Sequence, residues 1–271
     1  MLLSSGLLLL ASCSASTAPV VKLGLVAPFE GRYRAIGYEA IYAARLAIRE
    51  INQSGGVDGY RVELVALDDS GSADRAAEQA RKLALDPQVV AVIGHYLPDT
   101  TAAAMGTYCD ETLPLLAVES NRASDCLGVL LLTPPLTGSL ITDSLLTDSL
   151  ITDSLTTDPS SFLFAATVPH PAELPAARTF ADAYNAIPID GTRAGPIALQ
   201  TYDAMHLLFD ALARNIQLDG KPSREGMRRA LAESDFAGLS GAYRFDAERN
   251  RVGARVYVYR YGKDRQPELV R

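Results

Sequence analysis

The 271-residue sequence has no tryptophan, only three histidines and only three cysteines. It is equally poor in enzymatic signatures. There is no P-loop, no Gly-x-Gly-x-x-Gly fingerprint and no His-Glu-x-x-His. The stretch "GLSG" at 238–241 is not a Gly-x-Ser-x-Gly nucleophile elbow. His95, His170 and His206 stand alone, and the spacing of Cys109 and Cys126 fits no zinc pattern. No enzyme activity, catalytic residue, cofactor or metal is expected. Basic charge is also in deficit, with 25 Lys and Arg against 32 Asp and Glu and a net charge of −7. That balance argues against a general affinity for nucleic acid. The N-terminal apolar run, Leu7 to Leu10, is too short to span a bilayer.

Apolar residues are plentiful, at 48% of the chain, enough for a substantial core. They are ordered as alternating strands and helices. "VVKLGLVAP" (20–28) reads as a buried strand and "YEAIYAARLAIREIN" (38–52) as a helix stopped by "QSGGVDG". The unit repeats as strand 61–67 with helix 74–85, then strand 89–94 with helix 100–111, then strand 113–118. "CLGVLLLTPP" adds a further strand candidate. This alternation predicts an α/β fold, a doubly wound Rossmann-like lobe with a parallel sheet. Later come a strand at 162–168, helices at 176–187, 195–216 and 223–234 with Ser223 as N-cap, and a C-terminal β-hairpin over 241–261.

Between these parts lies "SLITDSLLTDSLITDSLTTD" (139–158), one pentamer written four times. A period of five matches neither a helix stripe nor a strand face. Its four Asp have no Lys or Arg to offset them, so residues 134–161 read as a low-complexity linker.

The N-terminus ends its apolar run in "LASC", which resembles the lipobox of bacterial lipoproteins. The resemblance implies a signal peptide over 1–12, lipid attachment at Cys13 and a tether over 13–19. No Lys or Arg precedes the run, and an ordinary secretory signal with an incidental Cys13 is the other reading. In an exported chain Cys109 and Cys126 either pair, closing a loop worth on the order of 3 kcal/mol, or remain buried thiols.

"KLGLVAPFEGRYRAIGYEAIYAARLAIREINQSGGVDGYRVELVALDD", "ARKLALDPQVVAVIGH", "LPLLAVESN", the "FADAY" helix, "YDAMHLLFDAL" and "FAGLSGAYRFDAERNRVGARVYVYRY" carry a resemblance. In that order they resemble the periplasmic solute-binding proteins of branched-chain amino acid ABC transporters, the leucine/isoleucine/valine-binding type. The resemblance covers roughly 20–133 and 162–260. It implies a type I periplasmic-binding fold whose second lobe is a contiguous middle insertion. Two such lobes need ~150 residues each, and nothing here resembles the middle segment. Residues 20–133 and 162–271 are then two parts of one ligand-binding lobe, and 134–161 stands in place of the second. The implied partners are a small polar solute such as an amino acid, a transporter permease and the membrane through the lipid anchor, on the outer face of a bacterial cytoplasmic membrane.

Ligands of open α/β sheets bind beyond the carboxyl ends of the strands. The candidates there are Tyr33 after the first strand, Tyr96, Thr100 and Thr101 after the third, and Glu119, Ser120 and Asn121 after the fourth. A helix N-terminus with Thr100 and Thr101 suits a carboxylate. Glu119, Ser120 and Asn121 offer acceptors for an ammonium, and Tyr33 or Tyr96 could line a side-chain pocket. "YLPDTT" departs from the small hydroxyl-rich loop usual in the family. Asp99 repels a carboxylate, Pro98 removes a donor, and helix capping by Asp99 and Thr100 is the plainer reading. The competing functional reading is a degenerate single-lobe lipoprotein that binds no solute.

Overall fold

The computed structural model describes residues 18–120, 126–133, 163–188, 193–261 and 266–270. The expected signal peptide at 1–12, Cys13, Asn121 and the pentamer tract lie outside them.

Five strands form one parallel sheet in the order β2-β1-β3-β4-β5. They are β1 Val20–Ala27, β2 Arg61–Asp68, β3 Val89–Ile93, β4 Leu115–Ala117 and β5 Val129–Leu131. The chain goes from β1 outward to β2, then returns past β1 to β3. The order reverses there, which opens a crevice at the carboxyl ends of β1 and β3.

Alternation along the strands sorts the core into two layers. Leu23, Leu25, Ile93, Leu116 and Leu130 face helices α1 (Arg34–Gln53), α5 (Pro196–Asp219) and α6 (Arg224–Ala232). Val26, Val92, Leu115, Ala117, Val129 and Leu131 face α2 (Ala73–Leu85) and α3 (Pro98–Asp110). A Cβ on Gly24 would stand 2.9 Å from a Leu83 methyl, so α2 packs directly on the β1 backbone. A third cluster joins α1 through Ala43 and Leu46 to Phe180 and Tyr184 of α4 (Arg178–Asn185) and to Leu199 of α5.

α1 and α5 are also joined by a buried carboxylate. Glu39, 2% exposed, accepts from the Ala198 amide at 3.0 Å. The α5 N-cap is Gly195, which has no side chain to cap the helix. Glu39 therefore supplies the anion that the free amides of a helix N-terminus favour. A Cβ at Gly195 would lie 2.4 Å from Glu39 Oε2, so only glycine leaves room for it. At its other end α5 extends past the expected residue 216 to Asp219 and stops at Gly220 in the left-handed region.

The expected C-terminal hairpin is present, but its pairing differs from the sequence reading. Residues 241–261 contribute one strand to each of two hairpins. β8 (Gly241–Tyr243) pairs back with β7 (Phe236–Gly238), and β9 (Tyr257–Tyr261) lies between β6 (Leu163–Ala166) and β10 (Pro267–Leu269). The reason is Asp203 on α5. Its carboxylate accepts from the Leu239 and Ser240 amides at 2.9 Å each, which fixes the β7–β8 turn. The Arg251 guanidinium lies 3.6 Å over the Tyr243 ring and donates to the Ala242 carbonyl.

Ser223 caps α6 by accepting from the Gly226 amide. Cys109 at the end of α3 is disulfide-bonded to Cys126 before β5, with Cα atoms 5.7 Å apart. Among the described residues no helix is long and apolar enough to cross a membrane.

Candidate functional site

The carboxyl ends of the strands bring the loops after β1, β3, β4 and β5 to one edge of the sheet. Asp68, at the end of β2, orders the first of them. Its Oδ1 accepts from the Phe29 amide at 2.7 Å and the Glu30 amide at 3.3 Å. Partial burial would raise the Asp68 pKa, but bonds from Ser70, Phe29 and Glu30 outweigh it and hold the carboxyl below its ordinary value. Tyr33, half-buried, packs against this edge, with the Arg32 guanidinium 4.8 Å from its ring centre. Arg32 Nη2 is buried and has no hydrogen-bond partner among the described residues.

The loop after β3 is held from below. His95 is wholly buried, with Nδ1 2.8 Å from Asp69 Oδ2 and Nε2 3.2 Å from the Tyr108 hydroxyl. Asp69 also accepts from the Gly71 amide. The arrangement ties β2, β3 and α3 together with each polar atom matched.

The three candidates in this loop are matched in the same way. The Tyr96 hydroxyl meets Thr201 Oγ1 at 2.8 Å, and Tyr96 is 2% exposed. Burial, only partly offset by that bond, raises its pKa. Thr100 donates to the Leu97 carbonyl at 2.9 Å. Thr101 donates to the carbonyls of Leu97 and Glu119. Both threonines are fully buried. The plainer expectation for this turn, side-chain capping, is not realised: α3 has Leu97 at its N-cap and no side-chain cap bond. The Thr100 hydroxyl points back to a carbonyl instead of accepting from a helix amide.

The end of β4 is different. Glu119 and Ser120 are both buried, at 8% and 4% exposure. The Glu119 amide donates to the His95 carbonyl at 3.2 Å, and its carbonyl accepts from Thr101, so its backbone is fixed on two sides. Its carboxyl is not. Glu119 Oε1 and Thr133 Oγ1 are both buried and complete no hydrogen bond of acceptable geometry among the described residues. Burial drives the Glu119 pKa up to about 8, although the Thr133 hydroxyl beside it lowers it part of the way back.

The structure thus brings Tyr33, Tyr96, Thr100, Thr101, Glu119 and Ser120 to one edge of the sheet. It leaves Glu119 as the candidate with an open polar atom, and Asn121 lies outside the described residues. Two residues at this edge were missed in the sequence. Arg32 stands within "GRYRAIG", and Thr133 follows the β5 run "VLLL". The rule that located the other candidates would have found Thr133 had β5 been treated as a sheet strand. Chemically, the edge combines an open guanidinium nitrogen after β1 with an open carboxyl after β4. One strand, β3, lies between them, so their strands are about 10 Å apart at the usual spacing. Among the described residues no group of His, Cys, Asp and Glu is placed to hold a metal ion.

A family model described as periplasmic binding protein matches residues 20–142 and 136–266. The leucine-, isoleucine-, valine-, threonine-, and alanine-binding protein of Pseudomonas aeruginosa is 32% identical over 125 residues, covering 46% of this chain and 29% of its own length. The Leu/Ile/Val-binding protein of Escherichia coli is 27% identical over 140 residues, covering 52% and 34%. The chain therefore spans about a third of the length of these curated relatives. Among solved structures it is similar to the branched-chain amino acid transporter substrate binding protein LivJ from Streptococcus pneumoniae in complex with isoleucine. That likeness has a TM-score of 0.67 at 19% identity, over 93% of this chain and 99% of that one. The leucine binding protein LivK from Thermotoga maritima gives a TM-score of 0.67 at 16% identity, over 93% and 98%.

Proposed function

The chain belongs to the periplasmic binding protein family, and on that premise we propose that it is an extracytoplasmic solute-binding protein. Its ligand is an amino acid of the branched-chain type, which it hands to an ABC transporter permease. The observation that carries this reading is the open carboxyl of Glu119 in a buried corner at the ligand-binding edge of the sheet. A buried acid with no counter-charge among the described residues is costly to ionise, and a ligand ammonium would supply one. Arg32 offers the opposite charge two strands away, as a zwitterion requires. Tyr33 lines the entrance, Ser120 adds to the acceptor side, and Tyr96, Thr100 and Thr101 act by holding the loops. The amino-acid-binding relatives support the ligand class. On the same reading the protein is exported and anchored by a lipid on Cys13. The segment 134–161 stands in place of the second lobe, so the site is covered from one side only and affinity is weak, because small-molecule sites ordinarily enclose most of their ligand.

A specific observation also favours the degenerate reading. The hydroxyls of Tyr96, Thr100 and Thr101 are all bonded within the protein. Thermal unfolding of the protein from Ser14 onward, with leucine, isoleucine or valine at millimolar concentration, separates the two. A ligand that binds only the native state raises the midpoint by linkage. A cooperative transition that none of the three shifts favours the degenerate lipoprotein.

A further inference from the structure

Glu119 and Thr133 stand side by side because of sheet register. Ala117 of β4 pairs with Leu131 of β5, and each of the two residues follows its strand by two positions. Both side chains therefore leave neighbouring parallel strands at the same level, about 5 Å apart at the usual spacing. Thr133 is fully buried and Glu119 nearly so, and each has an oxygen without a hydrogen-bond partner among the described residues. Two buried oxygens side by side that can accept suit a ligand group that is all donor, and a primary ammonium has three N–H donors and no acceptor.

Among the described residues, the charged groups around this corner supply no counter-ion. From the β3–α3 turn, His95 presents its carbonyl to the Glu119 amide, while its ring is taken up by Asp69 and Tyr108. From α3, Thr101 presents an uncharged hydroxyl, and Asp99 in the first turn is itself acidic. From β5 comes Thr133. Burial and Thr133 are the two influences on the Glu119 carboxyl, and no charged side chain among the described residues contributes.

We infer that solute capture by this protein is proton-linked, Glu119 releasing its proton to solvent as the primary ammonium of the ligand seats between Glu119 and Thr133. This rests on the solute-binding reading above and deepens it. In the unliganded protein Glu119 is a neutral carboxylic acid. Seating the cation breaks the Glu119 O–H bond, leaves its electron pair on the carboxylate, and sends one proton to water. The ligand keeps all of its own protons, and nothing is oxidised or reduced. With the acid titrating near pH 8, about one molecule in a hundred is ionised at pH 6, and apparent affinity scales with that fraction. Affinity therefore rises about tenfold per pH unit up to pH 8 and then levels. A neutral solute of the same shape has no such dependence.

The test is calorimetric titration of the protein from Ser14 onward with leucine, isoleucine and valine at pH 6, 7 and 8.5. It is done in buffers of different ionisation enthalpy, which count the protons released. The expected result is roughly a hundredfold gain in affinity from pH 6 to 8.5 and close to one proton released per ligand near pH 7. E119Q, which can never carry the charge, should bind weakly at every pH, with a flat profile and no proton released. Binding by the native protein with no pH dependence and no proton release overturns the proton linkage and leaves the solute-binding reading intact. An absence of binding at every pH, in a protein that unfolds cooperatively, overturns both. The proton count needs only the native protein, so the test holds if E119Q fails to fold.

Discussion

Two buried glutamates serve this protein in opposite ways. Glu39, between α1 and α5, is 2% exposed and lies against the N-terminus of a long helix, with Ala198 donating to it and Gly195 leaving it room. Glu119, at the end of β4, is 8% exposed and has an oxygen with no partner among the described residues. Similar burial thus has two outcomes, decided by whether the chain supplies donors. The matched carboxylate holds helices together. The unmatched one is pushed to about 8 and kept neutral, available to whatever brings a positive charge.

Removing the matched partner should have the largest effect. Glu39→Ala leaves the α5 amides buried without an anion and opens a cavity. A loss of about 3 kcal/mol or more is expected in urea unfolding. Gly195→Ala should cost about 1–3 kcal/mol by overpacking, since its Cβ would press on the same carboxylate.

The disulfide should come next. α3 holds the segment after β4 at both ends, by Thr101 on the Glu119 carbonyl and by Cys109 on Cys126. Replacing both cysteines with serine should cost about 3 kcal/mol in the same assay.

The last effect, and the one that sharpens the contrast most, is in the pH dependence of stability. The folded pKa of Glu119 is raised from 4.5 to about 8, so the folded protein holds a proton that the unfolded chain gives up. Its contribution to stability is whole below pH 4.5 and is lost as the pH rises to about 8. The slope across that window is at most about 1.4 kcal/mol per pH unit. Glu119→Gln should remove this slope from melting curves recorded between pH 5 and 8. An unchanged slope would mean that Glu119 is ionised and partnered in the folded protein.

Much of this could be read in the chain itself. The five sheet strands and the three helices between them follow from local periodicity, and Ser223 from a local cap. What could not be read depends on residues far apart. Nothing in "YEAIYAARLAI" shows that Glu39 will meet Ala198, 159 positions later, or that Tyr96 will bond Thr201 across 105. The single hairpin expected over 241–261 was divided because Asp203, on a preceding helix, holds the turn at Leu239 and Ser240. Of the site, the sequence showed which loops converge, by the rule of strand ends. It did not show which polar groups would be satisfied, and that depends on register between β4 and β5.

The bond from Glu39 to Ala198 crosses from the part of the chain before residue 134 to the part after 162. The same is true of the main apolar cluster, in which Leu23, Leu25 and Ile36 pack with Ile197, Leu208 and Tyr243. Neither part is a module that could be inherited or traded alone. Each is half of a lock whose other half lies on the far side of the pentamers, so a deletion or insertion between them is tolerated only if both halves remain on the same polypeptide or meet as two.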